Sequence, residues 1–169
     1  MSQDLAWLNG LAAADATREL HTCCASSAWA GALAAARPFA DQDALHEAAA
    51  KAFADLDWAD IEEALRSHPR IGDRPEGKDR ESTWSQSEQS GALDADAAAL
   101  REWNVAYEER FGRVFLICAT GLAGEDMLHA LHERLRGDDA TERQITRREL
   151  LKIAHLRLDK LLDGAGLTA

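Results

Sequence analysis

Proline is scarce in this chain, with three residues at positions 38, 69 and 75 of 169. Runs of β-branched residues are few as well, while alanine and leucine are plentiful. Little in such a composition interrupts a helix, so the expected fold is all-α. Long apolar runs are absent too. Hydrophobic residues make up 46%, yet no stretch reaches the roughly 20 residues of a membrane span, so a soluble protein with no membrane partner is expected. The opening Met1-Ser2-Gln3-Asp4 lacks the basic and apolar regions of a signal peptide. Three cysteines, with Cys23 and Cys24 adjacent and Cys118 far away, exclude a disulfide framework or a zinc spacing. They are expected as reduced thiols in a cytoplasmic protein. Positive charge is also short, with 19 Lys and Arg against 30 Asp and Glu, a formal net charge of -11. A phosphate backbone would be repelled, which excludes nucleic acid as a partner. There is no Gly-rich phosphate loop and no Ser-His-Asp signal.

What is present is helical periodicity along the whole length. At 169 residues the expectation is a single domain, 1–169, burying about two-thirds of its unfolded surface. Apolar patterns predict helices from Asp4 to Leu11, from Asp15 to Cys24, and from Trp29 to Ala36, the last stopped by Arg37-Pro38. Asp41 is a candidate cap for a helix through Leu45, Ala49, Phe53 and Leu56. A helix from Trp58 to His68 follows, then an exposed loop over 72–82 and a short segment from Ser82 to Ser90. The next helix runs from Asp94 to Phe111, with Leu100, Trp103, Tyr107 and Phe111 along one side, and Gly112 ends it. Val114 to Cys118 is strand-like, but one run without a partner makes no sheet, and a buried extended turn is expected. Gly124 to Leu135 and Thr141 to Leu162 complete a bundle of about eight to nine helices with no β-sheet, Thr141 serving as the last cap.

Two residues break the apolar pattern in a way that carries chemistry. His68 lies three residues beyond Leu65 and seven beyond Ile61, so it continues their inward face, and Pro69 disfavours helix at that point. An imidazole held beside the core, with an ordinary pKa of about 6.5, is a candidate acid or base. Its bland alternative is a buried or C-capping histidine. Arg157 projects into the stripe of Leu150, Ile153, Ala154, Leu158 and Leu161. Such a guanidinium must be paired, reach solvent, or face a polar pocket, where it forms a fork for an anionic or carbonyl-bearing ligand. Glu88 and Gln89, in Trp84-Ser85-Gln86-Ser87-Glu88-Gln89, form a solvated face unless the carboxylate reaches His68 and orients its ring. Backbone N–H groups at Ala119-Thr120-Gly121 are candidates for binding carbonyl or oxyanion groups. His129 and His132, with Glu125 one turn earlier, have metal-like spacing but no third ligand. Cys118, inside an apolar run, is expected to be an inert buried thiol.

Taken in order, these residues resemble the OHCU decarboxylase family, whose substrate is 2-oxo-4-hydroxy-4-carboxy-5-ureidoimidazoline. The resemblance covers Cys23-Cys24-Ala25-Ser26-Ser27-Ala28-Trp29, Ala36-Arg37-Pro38-Phe39, Ser67-His68-Pro69-Arg70-Ile71-Gly72 and Ser87-Glu88-Gln89. It continues through Asn104-Val105-Ala106-Tyr107, Phe111-Gly112, Phe115 to Gly121 and Leu156-Arg157-Leu158. The resemblance implies an all-α homodimer that converts OHCU to (S)-allantoin in urate degradation without metal or organic cofactor. By position it implies His68 as the acid/base, Glu88 as its partner or a substrate anchor, and Gln89 and Arg157 as substrate contacts. Pro69 would shape the pocket, and the backbone around Ile117, Ala119, Thr120 and Gly121 would hold the ureido and ring carbonyls. One departure stands out: after Ala-Thr-Gly the family often has Lys or Arg and a small hydroxyl residue, where this chain has Leu122-Ala123-Gly124-Glu125.

The chemistry agrees with the residues on offer. The electron pair left by decarboxylation can be taken up within the substrate as an enolate, so pyridoxal phosphate or thiamine is not needed. The protein has to stabilise that charge and deliver a proton to one face. Two other classes of function compete: a non-catalytic helical ligand-binding or interaction module, and a metal-dependent hydrolase built on His129 and His132.

Overall fold

The computed structural model describes residues 3–71, 80–88 and 96–165. Among them are nine helices and no strand: α1 (Gln3–Gly10), α2 (Ala13–His21), α3 (Ser27–Ala35), α4 (Gln42–Ala54), α5 (Trp58–Leu65), α6 (Arg80–Glu88), α7 (Asp96–Phe111), α8 (Gly124–Leu135) and α9 (Asp139–Ala165). The all-α expectation holds, and so does the buried, non-helical course of Phe115, Leu116 and Ile117. The chain divides into two compact units, 1–64 with 151–169, and 65–150, the divisions falling inside α5 and α9.

In the first unit α2 packs on α3, and α3 on α4. Its core includes Leu5, Leu8, Leu20, Leu33, Leu45, Ile61, Ala154 and Leu158, with Trp29 at the largest volume and fully buried. The indole N–H of Trp29 donates to the Ala49 carbonyl at 3.0 Å, so the one polar atom of that ring is satisfied inside the core. Ser26 caps α3 by accepting from the Trp29 N–H at 3.2 Å. Asp41 caps α4 as expected, accepting from the Ala44 N–H at 2.8 Å. Arg37, beside a cis bond to Pro38, gathers the ends of two helices: it donates to Ala34 at 2.9 Å, Leu8 at 2.7 Å and Leu11 at 2.8 Å. Leu8 and Ala34 lie in the last turns of α1 and α3, where the regular i+4 partners run out, and Leu11 follows directly after α1.

In the second unit α7 packs on α8 over a core of Ile71, Leu100, Tyr107, Phe115, Ile117, Ala119, Met127 and Leu131. Gly124 opens α8 where a Cβ would meet the Asp96 side chain at 2.8 Å, so only glycine allows that approach. Gly112 ends α7 with φ +71, donating its N–H to Glu108 at 2.8 Å, the left-handed stop that glycine adopts without steric cost.

Four local expectations are corrected. Trp103 does not share the buried side of α7: it is 40% exposed, and Asn104, between Leu100 and Tyr107 on the helix face, is buried instead. α5 stops at Leu65, and a single tighter turn carries the chain on, His68 N–H donating to the Leu65 carbonyl at 3.0 Å. Thr141 is not the cap of α9. That role belongs to Asp138, whose carboxylate accepts from the Thr141 N–H at 2.7 Å and whose carbonyl accepts from Glu142 at 3.0 Å. The Thr141 N–H and hydroxyl hold the Asp138 carboxyl below its usual range. Cys118 is half-buried rather than buried.

Candidate functional site

His68 stands in the turn after α5, 8% exposed, and the short segment that follows it is fastened to α7 at two points. Arg70 makes a fork on Glu108, Nε to Oε1 at 2.6 Å and Nη2 to Oε2 at 2.8 Å. Asn104 donates from Nδ2 to the Ile71 carbonyl at 2.6 Å. The fork is half exposed and contributes modestly, whereas the Asn104 bond is buried and leaves an unsatisfied carbonyl if lost. A rigid helix thus sets the direction in which the chain leaves His68. Pro69 follows, half-buried. Glu88 closes α6, half-buried, after the buried Ser85. Gln89, like Gly72, lies outside the described residues.

The 115–121 segment is held from beneath by charge. Arg134 on α8, 7% exposed, donates from Nη1 to the Leu116 carbonyl at 2.6 Å and stacks its guanidinium 4.5 Å over Phe115. Its Nε meets Glu142 Oε1 at 2.8 Å, and Nη2 reaches the same carboxylate and the Thr146 hydroxyl. Tyr107 donates its hydroxyl to Glu142 at 2.5 Å; burial first, and then this bond, push the phenol up to about 12, which keeps it a donor. Glu149 on α9 accepts from the Cys118 N–H at 3.1 Å. Beyond it the chain turns, Leu122 N–H donating to the Ala119 carbonyl at 3.0 Å with Gly121 at φ +80, a position where glycine is favoured in a type II turn. Thr120 and Gly121 are exposed, and Ile117 and Ala119 are buried. At the departure after Gly121, Asp126 reaches back to accept the Ala123 N–H at 3.0 Å, one half of a capping box, while the Ala123 side chain offers no oxygen to the first N–H groups of α8.

His68, Pro69, Glu88, Ile117, Ala119, Thr120 and Gly121 belong to the unit of 65–150. Arg157 belongs to the other, on the buried stripe of α9 and 3% exposed, as its angular position predicted. Its charge bears on the Cys24 thiol, which burial nonetheless pushes up to about 12; Cys24 is a poor nucleophile there. Glu63 bears on the same thiol and also accepts from the Ser27 N–H at 2.6 Å and hydroxyl at 3.1 Å, at the start of α3.

His129 is exposed, while His132 sets its ring edge-on to Trp103 at 4.4 Å. Among the described residues no group of three or more His, Cys, Asp or Glu is arranged to hold a metal, and no helix is long and apolar enough to cross a membrane.

Sequence reasoning missed Asn104, Arg134, Glu142 and Glu149. The signal that found Arg157 was available for three of them. Asn104 interrupts the Leu100–Tyr107 stripe, Arg134 continues Met127 and Leu131, and Glu142 with Thr146 extends the stripe of Leu150 and Ile153. Glu149 carries no such mark, because only the path of a distant loop gives it a partner.

Comparison with known proteins joins these features to one family. The family model for OHCU decarboxylase matches residues 9–159. The chain is 36% identical over 144 residues to a 2-oxo-4-hydroxy-4-carboxy-5-ureidoimidazoline decarboxylase of Amia calva, covering 82% of this chain and 79% of that one. It is 37% identical over 151 residues to the uric acid degradation bifunctional protein TTL of Arabidopsis thaliana; 86% of this chain is covered, but it spans about half of that relative, 47%. A crystal structure of OHCU decarboxylase in the presence of (S)-allantoin superposes with a TM-score of 0.75 at 34% identity, covering 86% of this chain and 97% of that one.

Proposed function

The chain belongs to the OHCU decarboxylase family, and from that premise we propose that it converts OHCU to (S)-allantoin and carbon dioxide in urate degradation, as a carboxy-lyase without metal or organic cofactor. The observation that carries this reading is the family match from 9 to 159, which runs through both compact units. The same span supports treating 1–169 as one functional domain.

In OHCU the carboxylate and hydroxyl share C4, and the neighbouring C5 is doubly bonded to ring nitrogen. When the C4–carboxylate bond breaks, its electron pair forms a C4–C5 double bond and the former C5–N pair moves to nitrogen, which is protonated. Loss of the C4 hydroxyl proton then restores a carbonyl, and a proton added to one face of C5 sets the (S) centre. We assign the proton transfers to His68, with Glu88 orienting its ring or anchoring substrate. Backbone N–H groups at Ile117, Ala119, Thr120 and Gly121 receive the ureido and ring carbonyls as charge develops. Gln89 and Arg157 contact substrate, and Pro69 shapes its surroundings. Arg157 is assigned to a carbonyl, because a tight grip on the departing carboxylate would stabilise the ground state and slow the reaction. We further assign a cytoplasmic location and a homodimer, the latter open to light scattering on the purified chain.

The test is optical. OHCU is generated in place from urate by the two upstream enzymes, this protein is added, and circular dichroism is followed. A fast (S)-allantoin signal that His68→Ala abolishes is the expected result. Decay at the spontaneous rate to racemic product would overturn the proposal.

A further inference from the structure

Two side chains outside the assigned roles grip the peptide bonds on either side of Ile117. Arg134 binds the Leu116 carbonyl at 2.6 Å, and Glu149 binds the Cys118 N–H at 3.1 Å. In a trans peptide the carbonyl and the N–H point in opposite directions. Holding the Leu116 carbonyl therefore aims the Ile117 N–H away from Arg134, and holding the Cys118 N–H aims the Ile117 carbonyl away from Glu149. Neither Ile117 peptide group takes part in a backbone hydrogen bond among the described residues. The grip is stiff on the arginine side, where Glu142 and Thr146 bind the guanidinium, Tyr107 holds Glu142 in turn, and Phe115 lies beneath it. A segment with no ladder of its own is thus oriented by two buried or half-buried ions rather than by secondary structure.

We infer that Glu149 and Arg134 are positioning residues for the decarboxylation, setting the peptide planes around Ile117 and, through them, the Ala119-Thr120-Gly121 turn. The inference rests on the reading above, in which this backbone receives the substrate's carbonyls. Donors that stabilise charge arising only in the transition state act on kcat, and a small misplacement of them is costly. Glu149 is the cleaner probe, since Arg134 has a buried counterion that its loss would strand.

The full chain is assayed as wild type, Glu149→Ala and Glu149→Gln, with kcat, KM, enantiomeric excess and thermal midpoint measured for each. Glu149→Ala is expected to lower kcat about ten- to a hundredfold with KM little changed and the (S) excess eroded. Glu149→Gln keeps an acceptor oxygen and is expected to restore both close to wild type. Should Glu149→Ala fail to fold, Glu149→Met, which keeps the volume without the carboxylate, carries the same comparison. Failure of both to fold would make Glu149 purely structural and overturn the inference. Normal kcat and full (S) excess in a folded Glu149→Ala would also overturn it, leaving the decarboxylase reading intact. A wild-type chain that does not accelerate OHCU decay would instead remove the reading itself.

Discussion

Asn104, in the middle of α7, donates its side-chain amide to the carbonyl of Ile71 at 2.6 Å, three residues past His68. A polar side chain on a buried stripe is tolerated there because it satisfies a carbonyl that the end of regular structure leaves without a ladder partner. The consequence for function is that α7, rather than the loop itself, sets how the chain leaves the histidine.

Replacing that amide tests the fastening. Asn104→Leu strands the Ile71 carbonyl, a cost of about 1–3 kcal/mol. Part of it is offset, because the amide oxygen of Asn104 is itself buried without a partner among the described residues. The expected net loss is near the lower end, about 1 kcal/mol, by urea denaturation. Activity should fall by more than that loss explains, with kcat affected before KM. A variant that is less stable but fully active would show that His68 does not depend on this bond.

Arg134 and Glu142 form an ion pair whose side chains are 7% and 1% exposed. Breaking it from one side leaves a buried charge, so Arg134→Met should cost about 3–5 kcal/mol in chemical denaturation. Removing both charges, Arg134→Met with Glu142→Leu, should recover much of that stability, since the desolvation of two ions disappears together. Single and double variants of equal stability would contradict the buried-charge account.

His155 provides a pH dependence in the first unit. It stacks on His46 at 4.7 Å between ring centroids, and burial first, then the charge of His46, lower its pKa from 6.5. The other groups here are Asp159, 2.7 Å from His46 Nε2, and Gln42, which donates to the same carboxylate. A histidine whose folded pKa is depressed binds protons more readily when unfolded. Its contribution is therefore present above about pH 6.5 and is lost as pH falls below it. The thermal midpoint of wild type should drop between pH 7.5 and 5.5, and His155→Asn should flatten that slope. An unchanged slope in the variant would assign the acid sensitivity elsewhere.

A change far from the chemistry supplies the control. Asp41→Ala removes the oxygen that caps α4 and should cost about 1 kcal/mol. Substrate turnover at moderate temperature should be untouched, since α4 carries none of the assigned residues. A fall in kcat would point to a wider role for the first unit.

Much of this protein was determined by the sequence alone, for local reasons. Helix formation follows from alanine- and leucine-rich periodicity, the stops from Pro38 and Gly112, and the α4 cap from Asp41. The odd placement of His68 and Arg157 is visible because a charged or titratable group on an apolar stripe violates a pattern confined to one helix. Trp103 misled for the same reason in reverse. Its spacing suits the core, but the packing of α7 turned Asn104 inward, and that choice depends on a carbonyl at residue 71 that periodicity cannot see. The tertiary structure alone decided which carboxylate meets which arginine, as with Glu142 and Arg134, and what orients the non-helical 115–121 segment. Helices satisfy their backbone internally, so their sequences announce them. A segment without a ladder takes its hydrogen bonds from side chains distant in the chain, and only the folded arrangement names Glu149 and Arg134 as those partners.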